Sequence, residues 1–467
     1  MTSLANRAFH ASPPSVQSLA LSLYGAKLRR TRYGGVHRET LTHLLESQLS
    51  STDQFESLAE DAFGSLVTFA RRTVPMYRES MGKLPSNLSL KDLPLLPIVR
   101  KADLLRAGMA RVSTDFKTSD LVHIHTGGTT GEPLSVFSTK SAIQTNYAFY
   151  ERLRHWAGVP DGCRMATFAG RAFLKANASA PFSRLNWPAR ARLFSSYHLS
   201  ATNAQSYLDE LADWNPELID SYPSSLAPLA NFVLERGDDR VRPRAVITSS
   251  ETLGHTVRED ISAAFRTKVF DQYGAAEMAA FISQCESGSY HVNPEFGVVE
   301  LLVDGGAARP GEVGEIVATG FLNHAMPMIR YATGDWGVWS DTLCPCGRAM
   351  PVMKEIGGRV DDVIETPDGR WIGRLDPVFK VASSAFESQI VQDASDHIRV
   401  EIAAQSELKS GDIEAIREQL VLRLGSEMKI DFLFVPSIAR TRSGKLRSVV
   451  NEWRRERLAG SVQSSKG

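Results

Sequence analysis

The spacing of apolar residues changes along this chain, and it predicts helices first and alternating strands and helices afterwards. The first 110 or so residues are mainly helical by pattern, with proline-rich breaks at Pro85 and from Pro94 to Pro97. The apolar positions of the first predicted helix recur at helical spacing and therefore form one face. They are Val16, Leu19, Ala20, Leu23 and Tyr24.

Short apolar runs alternate with helical patterns from about residue 134 onward. Strands are predicted at 134–137, 245–248, 269–270, 298–303 and 315–319. A helix is predicted at 203–211, with Asn203 as N-cap and Asn215-Pro216 as stop. A second is predicted at 224–237, with Ser224 or Ser225 as N-cap and Gly237 as stop. A third is predicted at 257–265. This alternation is typical of an α/β fold, in which loops at the carboxyl ends of strands bind ligands.

The pattern changes again beyond Gly357. A strand at 398–403, a helix at 412–424 and a strand at 430–435 predict a small α+β domain. The helix has a buried face formed by Ile413, Ile416, Leu420, Val421 and Leu424. We therefore predict a large α/β domain at 1–357, with mixed sheets flanked by helices, a small mobile α+β domain at 358–460 and a disordered tail at 461–467.

Charge and composition exclude several classes of protein. Basic and acidic residues number 53 each, which argues against nucleic acid as the main partner. The hydrophobic fraction of 43% is ordinary for a globular protein, and no run reaches the roughly 20 apolar residues that cross a bilayer. Four cysteines indicate a reducing compartment rather than a disulfide scaffold. We expect a cytoplasmic protein that is a monomer or a homodimer.

A glycine- and threonine-rich loop precedes the first predicted strand. Glycine or threonine occupies every position of Thr126-Gly127-Gly128-Thr129-Thr130-Gly131. Such a loop can close around a polyphosphate, because glycine allows close approach and the peptide N–H groups supply positive dipoles. The mononucleotide motif GxxxxGK[ST] is absent, since Glu132 follows the last glycine. If the loop binds phosphate, a cation must come from elsewhere in the chain; a plain turn is the alternative.

Four further motifs follow this loop in order. They are Asp271-Gln272-Tyr273-Gly274-Ala275-Ala276-Glu277, Tyr331-Ala332-Thr333-Gly334-Asp335, Gly358-Arg359-Val360-Asp361-Asp362 and Ser443-Gly444-Lys445. Each alone is typical of a turn or a helix cap. Together, from about residue 120 to 450, their order and separation resemble those of the adenylate-forming enzymes, namely acyl-CoA synthetases, adenylation domains and luciferases.

Within that superfamily the chain resembles the phenylacetate–CoA ligase branch, in particular its capsular-polysaccharide-type members. The similar segments are Arg32-Tyr33-Gly34 and residues 247–251, 290–292, 326–331 and 344–348. The phosphate loop departs from the family pattern, which usually has serine where Gly127 stands and lysine where Glu132 stands. One hydroxyl and one cation are thereby lost, whereas the backbone donors remain.

The resemblance implies a reaction in two steps. A carboxylate attacks the α-phosphate of ATP to give acyl-AMP and pyrophosphate, and a nucleophile such as the thiol of CoA then takes the acyl group. The loop from Thr126 to Gly131, with Thr129 as a catalytic donor, would hold the departing phosphates. Glu277 would hold Mg²⁺, which prefers oxygen ligands, and Lys445 would lie between the carboxylate and the α-phosphate.

The resemblance also implies the nucleotide contacts. Tyr273, between Gln272 and Gly274, would stack on adenine, and Ser250-Glu251 would line the other side. Asp335 would accept hydrogen bonds from the ribose hydroxyls, with Arg359 assisting. The small domain would swing about Asp361, since glycines and a short acidic residue suit a hinge.

Each of these residues also has a structural interpretation. Glu277 could satisfy a helix dipole, Asp335 could cap a turn, and Arg359 could form a surface ion pair. Lys445 could lie in a solvated basic loop, and Asp361 in an ordinary interdomain turn. Arg330, beside an apolar strand, is expected to be structural.

Three thiols and one imidazole form a candidate zinc site. Cys285 and His291 are followed about fifty residues later by Cys344 and Cys346, and three cysteines with one histidine are a ligand set of structural zinc. The spacing is not that of a standard zinc finger, and buried cysteines without metal are the alternative. Cys163 lies outside the set and is expected in the core.

The sequence therefore predicts an ATP-dependent, AMP-forming acid ligase that uses Mg²⁺ and most often CoA. Its acid pocket is expected near Tyr197, His198, Tyr222 and Ser249. One alternative keeps the adenylation step but uses another acceptor, such as an amine or a sugar in polysaccharide synthesis, or adenylates a deazaflavin. The other is a nucleotide-binding regulator without turnover.

Overall fold

The computed structural model of the chain describes residues 8–125, 134–169, 173–175, 178–196, 198–199, 202–358, 364–367, 371–372, 375, 378–379, 386–404, 410–439, 447 and 449–453. These residues form one sheet of 13 strands, a sheet of four strands and two sheets of two strands. Helices flank the large sheet, so the predicted α/β fold class is confirmed. Among the helices of the described residues, none combines the length and the apolar character that a membrane span requires.

Helices dominate the first 110 described residues, as the pattern predicted. They are α1 (Pro14–Arg32), α2 (His37–Ser47), α3 (Thr52–Thr73), α4 (Pro75–Ser80) and α5 (Lys101–Ala107). Helix α3 begins with a capping box in which Ser51 Oγ accepts from Gln54 N and the Gln54 side chain accepts from Ser51 N. This arrangement satisfies two N–H groups that the first turn leaves without helical partners.

The apolar face predicted for α1 is exposed. Val16 and Leu23, which belong to that face, are 49% and 67% exposed. The opposite, small and polar face is buried instead, and Ser22 Oγ accepts from Trp187 N at 3.1 Å. At Gly25 a Cβ atom would clash with the side chain of Asn186. Small residues therefore let α1 approach the rest of the domain closely, and this contact overrides the apolar pattern.

Parallel strands form one half of the large sheet. The strands of the first half of the chain are β1 (Val122–His125), β2 (Ser135–Ser138), β3 (Met165–Ala169), β4 (Ser183–Asn186), β5 (Ala191–Ser195), β6 (Leu218–Ser221), β7 (Ala245–Ser249) and β8 (Lys268–Gly274). Their order is β8-β7-β6-β3-β5-β4, and all neighbours except β5 and β4 are parallel. Strands β1 and β2 form a separate antiparallel hairpin.

Helices cover both faces of the parallel strands. They are α6 (Lys140–Trp156), α7 (Ala204–Trp214), α8 (Pro223–Arg236) and α9 (His255–Phe265). Side chains of α7, α8 and α9 share one apolar cluster with Phe168 and Phe194, and α6 packs on the other face through Leu153 and Trp156. Helix α8 ends at Gly237 as predicted, with φ +64°. The predicted N-cap at Ser224 or Ser225 is wrong, because Pro223 occupies the first turn and Tyr222 is the N-cap.

Antiparallel strands complete the large sheet. They are β9 (Phe281–Gln284), β10 (Tyr290–Val292), β11 (Gly297–Val303), β12 (Gly306–Ala307), β13 (Val313–Gly320), β14 (Met328–Trp339) and β15 (Val352–Gly357). Arg330 on β14 is buried, pairs with Glu300 at 3.0 Å and donates to the carbonyls of Pro94 and Leu96. These contacts agree with the structural role expected for Arg330.

The four-stranded sheet lies in the C-terminal part of the chain. The remaining elements are β16 (Ile364–Glu365), β17 (Trp371–Ile372), β18 (Phe386–Ala394), β19 (His397–Ala404), α10 (Ser410–Leu424), β20 (Lys429–Phe434) and β21 (Val449–Asn451). The sheet order is β20-β19-β18-β21. Helix α10 packs on this sheet through Ile416, Leu420 and Leu424, whereas Val421 of the predicted face is 37% exposed.

Candidate nucleotide and metal sites

The carboxyl ends of the parallel strands bring candidate residues to one edge of the sheet. Ser221 lies beside Thr248 in the register of β6 and β7, and Ser249 lies beside Gln272 in that of β7 and β8. The loops that follow β7 and β8 therefore leave the same edge, where α/β folds bind ligands.

Tyr273 and Asp335, which are 62 residues apart, meet at this edge. The Tyr273 hydroxyl donates to Asp335 Oδ2 at 2.7 Å. Burial and the adjacent Asp335 carboxylate hold the pKa of Tyr273 well above its ordinary value, so the phenol remains the donor. Gly334 has φ +79°, which favours glycine and shapes the turn that presents Asp335. The structure thus joins the predicted adenine contact to the predicted ribose contact.

Glu277 lies in the turn after β8 and is half-buried. The Tyr331 hydroxyl donates to Glu277 Oε1 at 3.2 Å, which orients the carboxylate. The next residue, Met278, has φ +57°, a conformation that is costly for a side chain with a Cβ and that clusters at functional sites. An oriented carboxylate oxygen is a ligand of the type that Mg²⁺ prefers.

The loop after β7 approaches the end of β15. Ser250 has φ +71° and is exposed, and Thr252 Oγ1 accepts from Gly358 N at 2.7 Å. Ser250 and Glu251 therefore lie beside the chain that leads into Arg359. Arg359 itself lies outside the described residues, as do the hinge residue Asp361, Lys445 and Tyr197.

The phosphate loop, including Thr126, Gly127, Gly128, Thr129, Thr130 and Gly131, also lies outside the described residues, but its two flanking strands are described. His125 pairs with Ser135 at the end of the β1–β2 hairpin. Ser138 Oγ lies 3.7 Å from Met278 Sδ, which follows Glu277 directly in the chain. The hairpin is thereby packed against the turn that carries Glu277, and Phe137 O accepts from Asn323 Nδ2 at 2.9 Å.

Replacing Asp335 with alanine is expected to lower the affinity for AMP by about tenfold or more, because a hydrogen bond to a charged group contributes roughly 1.5–3 kcal/mol. Binding of 2′,3′-dideoxy-AMP should change much less. Isothermal titration calorimetry measures both, with Asp341→Ala as control, since Asp341 is an exposed carboxylate on a nearby loop. Equal AMP affinities for the two variants would contradict a ribose contact at Asp335.

The predicted zinc ligands converge in space. The ligand atoms of Cys285, His291, Cys344 and Cys346 all lie within 4.8 Å of one another. Cys285 Sγ is 3.5 Å from Cys344 Sγ, and Cys346 Sγ is 3.3 Å from His291 Nε2. Zinc bonds of about 2.0–2.3 Å in a tetrahedron separate the ligands by roughly 3.5–3.8 Å, so this set fits the ion.

The protonation of His291 also suits a metal ligand. Its Nδ1 lies 3.4 Å from the carbonyl oxygen of Met350, so an N–H there leaves the Nε2 lone pair directed at the thiols. Burial lowers the pKa of His291 to about 4, which keeps the ring neutral. Burial raises the pKa of Cys285 to about 12, and a bound cation would reverse that effect by stabilising the thiolate.

The thiol cluster lies at the opposite end of its strands from the nucleotide site. Cys285 follows β9, whose Ile282 pairs with Tyr273, so roughly 10 Å of strand separates the two sites. The Trp156 ring of α6 packs between His291 and Arg348, with the Arg348 guanidinium 4.2 Å from the ring centroid. Zinc there would have a structural role, since it would join β9, β10 and the loop before β15.

Sequence reasoning missed several partners at the nucleotide site. It named Glu277 and Asp335 without their phenol donors, and it did not single out Tyr150 or Asp220, whose side chains form a hydrogen bond of 3.1 Å. Of the predicted acid-pocket residues, His198 donates from Nε2 to Lys175 O at 2.6 Å and has its Nδ1 2.8 Å from Ser195 Oγ, whereas Tyr222 and Ser249 are half-buried at the sheet edge. No local signal marks the pairing of Glu277 with Tyr331 or of Tyr150 with Asp220, because each joins distant parts of the chain.

Comparisons with known proteins find relatives along most of the chain. Residues 364–452 match the family model of the CapK C-terminal domain. The chain is 26% identical over 458 residues to Protein CapK of Staphylococcus aureus, covering 96% of this chain and 99% of that protein. It is 26% identical over 328 residues to a phenylacetate–coenzyme A ligase of Thermus thermophilus, covering 67% of this chain and 72% of the ligase.

The fold is also that of a solved structure. The 2-hydroxyisobutyryl-CoA ligase in its postadenylation state, in complex with R3-HIB-AMP, superimposes with a TM-score of 0.66 at 20% identity. The match covers 90% of this chain and 94% of the ligase. The family resemblance inferred from the motifs is therefore confirmed.

Proposed function

We propose that this chain is an ATP-dependent, AMP-forming ligase that converts a carboxylic acid to its CoA thioester. The chain is a homologue of CapK and of the phenylacetate–coenzyme A ligases, and it has the fold of the adenylate-forming superfamily. Family membership supports an adenylate-forming acid–CoA ligase in general. The acid, the acceptor and the site residues named below are parts of the proposal.

The observation that carries the proposal is the meeting of Tyr273 with Asp335 beside the Glu277–Tyr331 pair. One hydrogen bond of 2.7 Å links the first two residues, and one of 3.2 Å links the others. The same edge therefore has an aromatic ring for a base and two oriented carboxylates, one for the ribose hydroxyls and one for a divalent cation. A regulator that bound a nucleotide without turnover would need only the first two of these three features.

In the first step, a substrate carboxylate oxygen attacks the α-phosphorus, and the bond from that phosphorus to the bridging oxygen of pyrophosphate breaks. Glu277 would hold Mg²⁺, which neutralises charge on the phosphates when it is bound. The donors of Thr126 to Gly131, with Thr129 among them, would hold the departing pyrophosphate. Lys445 would hold its ammonium group between the two reacting anions, where it offsets their repulsion.

In the second step, the sulfur of CoA attacks the acyl carbonyl carbon, and AMP leaves with the electrons of the acyl–oxygen bond. We also propose that residues 1–357 and 358–460 are separate domains and that the second turns about Asp361 between the two steps. The hydrogen bond from Gly358 N to Thr252 Oγ1 supports this, since it fixes the chain immediately before the pivot.

Acid-dependent pyrophosphate release tests the proposal. A panel of aryl and aliphatic acids, with ATP and Mg²⁺, is expected to give release with at least one acid, and added CoA should give a thioester that mass spectrometry detects. Pyrophosphate release without a thioester would replace CoA by another acceptor, such as an amine or a sugar. Nucleotide binding without release for any acid would contradict the ligase and favour the regulator.

A further inference from the structure

A carboxylate lies where helix α6 covers the middle of the parallel sheet. Asp220 is the third of the four residues of β6, and β6 lies between β3 and β7. The Tyr150 hydroxyl on α6 donates to Asp220 Oδ2 at 3.1 Å. Burial and the Asp220 carboxylate hold the pKa of Tyr150 well above its ordinary value, so Tyr150 stays a donor and Asp220 an acceptor.

The sheet face that carries Asp220 is apolar below this residue. Side chains alternate between the two faces of a strand, so Leu218 shares the face of Asp220. In register, Ile247 of β7 and Phe270 of β8 are level with Asp220. Leu218, Ile247 and Phe270 belong to one buried cluster with Leu153 of α6. Apolar side chains therefore fill the contact between α6 and the sheet below Asp220.

The same face is polar and open to solvent above Asp220. Two positions further along the three chains, Tyr222, Ser249 and Gln272 replace the apolar side chains, and all three are half-buried. Asp220 and Tyr150 are half-buried as well, although they lie between a helix and the centre of a sheet. The Asp220 carboxylate is therefore partly accessible from the carboxyl edge.

This polar face and the proposed nucleotide site share the carboxyl edge of the sheet, since Gln272 and Tyr273 are successive residues of β8 whose side chains lie on opposite faces. Strands lie about 4.8 Å apart and rise about 3.3 Å per residue, and Tyr273 is two strands across and three residues along from Asp220, so the two residues are roughly 14 Å apart. Under the proposed function, an acid that entered along this face with its carboxylate at the carboxyl edge would bring its far end toward Asp220.

We infer that the acid substrate carries a hydrogen-bond donor, a hydroxyl or an ammonium group, at the end remote from its carboxylate, and that Asp220 accepts from it. This inference rests on the proposed function. A carboxylate has about four acceptor positions, so a bond from Tyr150 is compatible with further donors. An acid with an apolar end would exclude water from the Asp220 carboxylate without replacing its hydrogen bonds, which is costly.

Matched pairs of acids test the inference by pyrophosphate release. Phenylacetate is compared with 4-hydroxyphenylacetate and 4-aminomethylphenylacetate, and hexanoate with 6-hydroxyhexanoate and 6-aminohexanoate. In each set, the wild-type protein should prefer a donor-bearing acid by on the order of 10²-fold or more in kcat/KM. Whether the hydroxyl or the ammonium member is preferred identifies the donor.

Two variants of Asp220 separate its role from a structural one. Asp220→Leu should reverse the preference toward the unsubstituted acid, and Asp220→Asn should weaken use of the ammonium acid more than that of the hydroxy acid. Unchanged AMP binding and thermal unfolding establish that a variant is folded, and Asp220→Asn keeps the shape of the side chain if Asp220→Leu does not fold. Tyr150→Phe should keep the direction of the preference, because it leaves the carboxylate in place.

The outcomes distinguish this inference from the proposed function. Equal efficiencies within each set, or a preference that neither Asp220 variant changes, would overturn the inference and leave the ligase intact. Pyrophosphate release with no acid, while AMP still binds, would overturn the proposed function and the inference with it.

Discussion

Replacement of Lys445 by alanine is expected to reduce acid-dependent pyrophosphate release by about 10³-fold or more. Removing a single donor that stabilises charge in a transition state typically costs 10²- to 10³-fold, and Lys445 would supply a full positive charge between two anions. The affinity for AMP should change little, since the lysine is assigned to the reacting carboxylate and phosphate. Radioactive exchange of pyrophosphate into ATP measures the first quantity, and calorimetry measures the second.

Lys429→Ala is the matched control for this prediction. Lys429 lies in the same C-terminal region, is 72% exposed on its side chain and pairs with Asp396 at 2.8 Å on the surface. Its loss should leave exchange within about twofold of the wild-type value, since exposed ion pairs contribute little. If both lysine variants kept wild-type exchange, Lys445 would have no part in adenylation.

The partial reaction adds a second test of Lys445. If the lysine acts only on attack at the α-phosphate, the variant should still form a thioester from a chemically prepared acyl-adenylate and CoA. Failure of both steps would instead indicate that Lys445→Ala disturbs the domain as a whole. A near-normal second step with a lost first step would assign the residue to adenylation.

Local chemistry was sufficient to predict many elements of the fold. Gly237 ends α8 because its positive φ suits glycine, and the alternation of β7, α9 and β8 follows from short apolar runs and their stops, whereas β6 was not predicted. The predicted N-cap of the same helix is wrong. Serine is favoured at an N-cap, but Pro223 begins the helix before Ser224 and Ser225 are reached. The residue preference at a helix end is strong, but more than one residue can satisfy it.

Burial was harder to predict than secondary structure. The pattern predicts one apolar face on α1, but that face is exposed, and Gly25 and Ser22 bring the other face against residues 185–187. Which face is buried depends on the shape of the partner surface, and that surface is formed by residues more than 150 positions away. Periodicity alone cannot predict such a contact.

In the candidate sites, too, local patterns predicted which residues matter but not the contacts between distant residues. Ligand chemistry was enough to group Cys285, His291, Cys344 and Cys346, and their ligand atoms do converge. The motifs named Tyr273 and Asp335, but not the hydrogen bond between them. Asp220 and Tyr150 were missed, because a single carboxylate in a short strand and a tyrosine in a helix carry no recognisable spacing. Their hydrogen bond forms only because α6 packs over β6 in the folded chain.

Removal of the metal is expected to have the second large effect. We predict one zinc ion per chain in the purified protein, measured by elemental analysis, and loss of that ion in Cys344→Ser. Structural zinc contributes apparent binding free energies of roughly 10–16 kcal/mol in small domains. Loss of even several kcal/mol of stability should lower Tm by on the order of 10 °C. Differential scanning calorimetry measures this shift.

Cys163→Ser is the control, because Cys163 is a half-buried thiol outside the cluster and accepts from Arg154 at 3.2 Å. It should keep the zinc and lose little stability. The cluster lies about 10 Å of strand from the nucleotide edge. Zinc loss should therefore lower Tm, but it should leave the affinity for AMP nearly unchanged at temperatures below unfolding. Full zinc content in Cys344→Ser would show that Cys344 is not a required ligand. A wild-type protein without zinc would show that the buried thiols pack as small apolar groups and that the strands β9, β10 and β15 hold together without an ion.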